Sequence, residues 1–212
     1  MNYKITKINI KGNKVDLYYE LNEEENVLEV LLKTYLSFPF SSFTEVDESK
    51  WKEMLKEENK NRIYDYAISI IKRGDISKFS LKQKLNKKYP RNSLIITDVI
   101  KKLEEFNYLN DDELLKHEII KGINSFKGLR RIKYELSLKG FKEYQINEFI
   151  NEELIELEQD KALLLGQKQM RLCSKLEFKK MRDKVYYKLN YAGYSSELIQ
   201  EVMYKLNLIK EN

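Results

Sequence analysis

Apolar and polar residues alternate along Lys4-Ile5-Thr6-Lys7-Ile8-Asn9-Ile10 and again along Val15-Asp16-Leu17-Tyr18-Tyr19. A period of two places the apolar set on one face, the pattern of half-buried strands. Gly12-Asn13 between them is a turn dipeptide, so residues 1–25 predict an antiparallel hairpin. The period then lengthens: Val27, Val30, Leu31 and Tyr35 stand near helical spacing, predicting a helix over 26–36 that Phe38-Pro39-Phe40-Ser41-Ser42 stops. A two-stranded hairpin is marginal alone and is expected to pack on that helix.

From Asp47 onward the pattern is helical, with Asp47 as N-cap and Trp51, Met54 and Leu55 as an inner face. Gly74 marks a helix end, and a hinge is expected near 57–63. Beyond it one motif recurs three times, reading Leu85, Tyr89, Pro90, Ile95, Val99, then Leu136, Gly140, Phe141, Ile146, Ile150, then Leu189, Gly193, Tyr194, Ile199, Met203. Self-similarity at this period marks an array of small helical units. Each unit resolves into three predicted helices: 62–73, 78–88 and 92–106; 111–124, 128–139 and 143–156; 158–172, 175–192 and 195–208. Ser77 and Ser195 or Ser196 are candidate N-caps, Pro90 a stop, and Gly140 and Gly193 left-handed C-terminal caps. The expected class is therefore mainly α, with a β-hairpin and helix (1–60) ahead of three three-helix repeats (61–108, 109–157 and 158–212).

Charge sharpens this picture. Residues 1–60 carry a net −3 and residues 61–212 a net +8, within an overall +5. Eight cations against Asp75 fall in 72–91, six against Glu135 in 127–142, and eight against Glu177 and Asp183 in 168–188. One basic middle helix per repeat suits phosphates or an acidic protein surface, although lysine-rich helix faces are also simply solvated. Acids gather elsewhere, in Glu104-Glu105, Asp111-Asp112-Glu113 and 152–160. Base stacking would need exposed aromatics among cations, as at Lys133-Tyr134, Phe178-Lys179 and Tyr186-Tyr187-Lys188; of Tyr186 and Tyr187, one is expected buried and one partly exposed.

Catalytic patterns are missing. The chain has no phosphate-cradling glycine loop, no dinucleotide fingerprint and no paired histidine ligands. The single cysteine, Cys173, is read as a packed helix residue, and the single histidine, His117, as a surface or partly packed one. Apolar runs are too short to cross a bilayer, and residues 1–12 lack a leader's apolar core. No enzyme activity, metal or cofactor is expected, and the default is a cytoplasmic protein.

Several segments resemble the RecX family: Ala67 and Arg73 ahead of Ser77-Lys-Phe-Ser-Leu81-Lys-Gln-Lys-Leu85; Phe106-Asn-Tyr108-Leu109-Asn110-Asp111; Lys127-Gly128-Leu129-Arg130-Arg131-Ile132-Lys-Tyr-Glu135-Leu136-Ser-Leu-Lys139-Gly140-Phe141; and Lys188-Leu189-Asn-Tyr-Ala-Gly193-Tyr194. The likeness covers roughly 61–208, is most specific in the second repeat, and makes the N-terminal segment similar to an extension found in many members. The first repeat departs from the family pattern, with an extra residue after Arg73, Ser80 where Glu would complete a capping box, and Tyr89 where Gly is usual.

The resemblance implies a non-enzymatic regulator that binds the RecA recombinase on DNA and inhibits its ATPase, strand-exchange and coprotease activities; contacts to DNA phosphates, a monomeric state and no membrane contact are further expectations. Candidate contact residues are Arg73, Lys82, Lys127, Arg130, Arg131, Lys133, Lys139, Lys180, Arg182, Lys184 and Lys188. The alternative is a sequence-tolerant DNA-binding helical-repeat protein with no recombinase partner.

Overall fold

The computed structural model describes residues 2–209; residues 1 and 210–212, at the outer ends of the first predicted segment and the third repeat, lie outside the described residues. The alternating segments form the expected hairpin, β1 (Asn2–Lys11) against β2 (Lys14–Leu21), with a register shift at Thr6. A third strand, β3 (Glu24–Leu31), occupies most of the segment where a helix is expected. Asn22 and Glu23 both take positive φ, 52° and 67°, forming the tight turn that folds β3 back onto β2. Val27 and Val30 are β-branched, and pairing with Tyr18 and Val15 outweighs their near-helical spacing. Only Leu32–Ser37 is helical (α1), and β4 (Glu45–Asp47) joins the other edge of β1, giving sheet order β3-β2-β1-β4.

Helix α2 (Glu48–Ile71) starts where Asp47 accepts a hydrogen bond from the Lys50 N–H at 3.0 Å. It runs unbroken through 57–63, where a hinge is expected, because neither Gly nor Pro interrupts it. Its two halves serve two cores. Trp51 and Met54 close the sheet's core of Ile5, Val15, Leu17 and Val30, with Trp51 stacked on Tyr3 at 4.5 Å. Ile63, Ala67 and Ile70 pack on α3 (Lys78–Lys88) and α4 (Ser93–Glu105) through Leu81, Leu85, Ile96 and Leu103. Between the halves lies Glu58, 5% exposed, which accepts hydrogen bonds from the Leu31 N–H and from Arg62 Nε.

The chain divides into two compact units between Leu109 and Asn110. The second holds α5 (Asp111–Asn124), α6 (Leu129–Leu138), α7 (Glu143–Glu148), α8 (Glu152–Leu172), α9 (Phe178–Ala192) and α10 (Ser196–Lys205). Asn110 caps α5 ahead of the acidic triplet, as acids near a helix N-terminus favour. The predicted helices 143–156 and 158–172 are redrawn: α7 stops at Glu148, Asn151 caps α8 by accepting from the Leu154 N–H, and α8 continues through the expected break at 157. One core gathers Leu115, Ile119, Ile123, Ile132, Leu136 and Ile146; another gathers Ala162, Val185, Leu189, Tyr194, Ile199 and Met203.

The recurring motif now has a physical meaning. Leu85, Leu136 and Leu189 are core residues near the end of a helix, and the anchors that follow return the chain from a turn to the same core. Gly140 and Gly193 take φ of 90° and 92°, a left-handed cap that suits glycine, whereas Tyr89 ends α3 at −127° and needs none. Ser77 caps α3 without a Glu at position 80, accepting from the Ser80 N–H at 3.2 Å, and the two hydroxyls lie 3.0 Å apart. The class is mainly α, a helical array preceded by a small antiparallel sheet.

Candidate functional site

Helix α9 turns Val185, Leu189 and Ala192 inward. Residues 180, 184, 187, 188 and 191 fall within an arc of about 100° that flanks this inner face, at 3.6 residues per turn. That arc carries Lys180, Tyr187, Lys184, Lys188 and Tyr191, all exposed. Tyr187 is 68% exposed and Tyr191 77%, while Tyr186 is 43% exposed and meets Tyr187 edge to face at 5.9 Å. The expectation that one of Tyr186 and Tyr187 is buried is thus corrected: Val185 and Leu189 fill the inner face and leave both rings outside.

The C-terminal end of α9 is tied to the start of α6. The Gly128 N–H donates to the Ala192 carbonyl at 2.9 Å, and a Cβ at Gly128 would stand 2.3–2.4 Å from the backbone of Gly193 and Tyr194. Arg130 donates to Asn190 Oδ1 at 2.9 Å and to its carbonyl at 3.3 Å. Arg131 packs its Cβ where a side chain on Gly193 would sit, and its guanidinium carbon lies 5.6 Å from the Tyr191 ring centroid. Glu135 gathers Lys127 at 2.5 Å and Arg131 at 3.0 Å; hydrogen bonding from Lys127 first, then from Arg131, holds its carboxyl below the usual carboxylate range.

Gly128 has no side chain with which to cap α6, and Glu158 of α8 supplies the missing acceptor, taking the Leu129 N–H at 2.7 Å. Burial pushes its carboxyl above the ordinary value, against that hydrogen bond and the positive charge of Lys133. The buried Tyr194 hydroxyl has no hydrogen-bond partner among the described residues, and burial, then the Glu158 charge, raises its pKa. Beside this seam opens a cleft of about 350 Å³ whose lining includes Lys127, Arg131, Lys168, Lys188, Phe126 and Tyr191.

Of the residues singled out by sequence, Lys127, Arg130, Arg131 and Lys188 meet at this seam, and Lys180 and Lys184 extend it along α9. Arg182 leaves the stripe and bonds Asp183 at 3.0 Å. Lys133 faces Glu143 at 4.0 Å, and Lys139 pairs with Glu118 at 2.5 Å. Arg73 and Lys82 belong to the other unit, where Arg73 borders a hollow with Asp75 and Lys84, and Lys82 is exposed on α3. Lys168 and Tyr191 were not singled out. The signal for Tyr191 was present in the i, i+4 spacing of Lys184, Lys188 and Tyr187, Tyr191 around the apolar pair Val185 and Leu189; Lys168 reaches the cleft from α8 and carries no local signal.

Cys173 is 4% exposed and accepts from Gln169. Among the described residues no group of three His, Cys, Asp or Glu side chains is placed to hold a metal ion, and no helix is long and apolar enough to cross a membrane.

No family model matches the chain. It is 28% identical over 203 residues, 95% of each chain, to the regulatory protein RecX of Clostridioides difficile strain 630. It is 26% identical over 203 residues, 94% of each chain, to that of Clostridium botulinum strain Eklund 17B. Against the regulatory protein RecX of Bacillus cytotoxicus it is 28% identical over 214 residues, covering 98% of this chain and 78% of the relative. A crystal structure of regulatory protein RecX matches with a TM-score of 0.69 at 19% identity, over 94% of this chain and 98% of that one. RecX from Lactobacillus salivarius matches with a TM-score of 0.63 at 22% identity, over 72% and 99%. The chain is thus similar to these RecX regulatory proteins along nearly its whole length and shares the fold of the solved ones.

Proposed function

We propose that the protein is a non-enzymatic regulator that binds the RecA recombinase assembled on DNA and restrains its ATP hydrolysis, strand exchange and coprotease activity. The near-full-length similarity to RecX regulatory proteins carries this reading. The seam supports it: Lys127, Arg130, Arg131 and Lys188, contributed by segments far apart in sequence, converge on one surface of the second unit. Such a cluster suits an acidic protein face or a phosphate backbone. Arg73 and Lys82, in the first unit, are proposed as further contacts of the same regulator.

Charge reversal tests the assignment. Arg131 supports Gly193 and is part of the fold, so the reversal belongs at Arg130 and Lys188, both exposed. Arg130→Glu with Lys188→Glu should weaken inhibition of the RecA ATPase with helicity unchanged; unaltered inhibition would overturn the role of this seam. The second reading, a DNA-binding protein without a recombinase partner, is favoured by the exposed tyrosines of α9. Titration against naked DNA and RecA filaments at matched salt separates the two, because a large preference for filaments follows only from the first.

A further inference from the structure

We infer that the outer face of α9, together with Arg131 and the cleft holding Lys127 and Lys168, is a stacking platform for the bases of a single-stranded nucleic acid. A single exposed tyrosine needs no explanation. Here two lie on one stripe a helical turn apart, 68% and 77% exposed, with Lys180, Lys184 and Lys188 on the same face. None of these lysines, nor Lys168, has a carboxylate partner among the described residues. The only acid on α9, Asp183, is held by Arg182. The face therefore joins unpaired positive charge to open aromatic surface, the pairing that binds single strands with little regard to sequence.

Geometry selects against other occupants. Tyr187 and Tyr191 are separated along the helix by about 6 Å, four residues at 1.5 Å each. Successive bases of a duplex strand sit about 3.4 Å apart, stacked and paired, so their faces are closed to both rings. Bases of a single strand are free to splay onto aromatic surfaces. An acidic protein surface would satisfy the lysines and leave the rings unused. Arg131 is held ready beside Tyr191 by its bond to Glu135, 3.0 Å from Nε, so one end of the platform is ordered before a strand arrives. The cleft next to it offers Lys168, which no carboxylate meets among the described residues, to the phosphate that follows the stacked base, while Lys127 at its rim is held by Glu135. This inference concerns naked strands and stands or falls independently of any recombinase partner.

The test is fluorescence anisotropy of the full chain, without recombinase, with a labelled twelve-nucleotide oligothymidine, an abasic strand of equal length and a duplex of equal length. Oligothymidine should bind more tightly than the abasic strand and the duplex. Tyr187→Ala and Tyr191→Ala should each weaken oligothymidine binding by about 5-fold to about 100-fold. Neither should change binding of the abasic strand, and Tyr191→Phe should restore wild-type affinity. Lys188→Ala should weaken oligothymidine and abasic strand alike and reduce the slope of log affinity against log salt by about 0.7. Equal affinity of the wild type for oligothymidine and the abasic strand would overturn the inference even if a variant failed to fold. So would alanine variants that bind oligothymidine normally, or polyglutamate competing as well as the oligonucleotide at equal charge.

Discussion

Gly128 is the residue at which local sequence and long-range packing meet most tightly. Its Cα faces the backbone of Gly193 and Tyr194 closely enough that a methyl group would overlap it at 2.3–2.4 Å, and backbone yields less readily than the tip of a side chain. Gly128→Ala should therefore destabilise the second unit by at least about 2 kcal/mol, at the upper end of overpacking effects, read as a lowered urea midpoint. A change below about 0.5 kcal/mol, the range of surface substitutions, would show that the contact relaxes freely. The same contact explains why this segment is so recognisable in the sequence: Gly128, Arg131 and Glu135 are each fixed by a partner, and Gly140 by its φ of 90°. Other residues were less legible. The apolar content of Tyr186 and Tyr187 suggests burial for one of them, but the inner positions were already taken by Val185 and Leu189.

Among the elements, α6 depends on a cap from outside its own segment. Glu158 accepts the Leu129 N–H, so Glu158→Ala should leave that donor unsatisfied and cost about 1–3 kcal/mol. Glu158→Gln keeps a carbonyl acceptor and removes the charge. Because the folded-state pKa of Glu158 is raised, the folded protein holds this proton more firmly than the unfolded chain. Its contribution to stability is thus full below the ordinary carboxyl range near 4.5 and is lost as pH rises through the elevated value. Urea unfolding across this range should show the wild type losing stability relative to Glu158→Gln as pH increases; a parallel pH dependence in the two proteins would contradict the assignment.

Elements were read well where local signals sufficed, as with the caps at Asp47, Ser77 and Ser195. Local signals fall short where a partner outside the segment decides. β3 is a strand because β2 pairs with it; the start of α8 is by contrast a local signal, Asn151 ahead of Glu152-Glu153 capping through its own side chain.

On the scale of the whole molecule, the acidic N-terminal segment and the basic remainder were visible as charge, and the repeated motif as architecture. Which cations remain available was not, because that depends on neighbours in space: Lys139 meets Glu118 and Lys127 meets Glu135, while Lys184 and Lys188 have no carboxylate partner among the described residues. Regulation of RecA is tested by the ATPase rate of RecA filaments on single-stranded DNA, titrated with the protein. The wild type should inhibit, and Arg130→Glu with Lys188→Glu should raise the half-inhibitory concentration by at least about tenfold, a loss of about 1.4 kcal/mol at a like-charged contact. An ATPase rate unchanged by saturating wild-type protein would contradict the account.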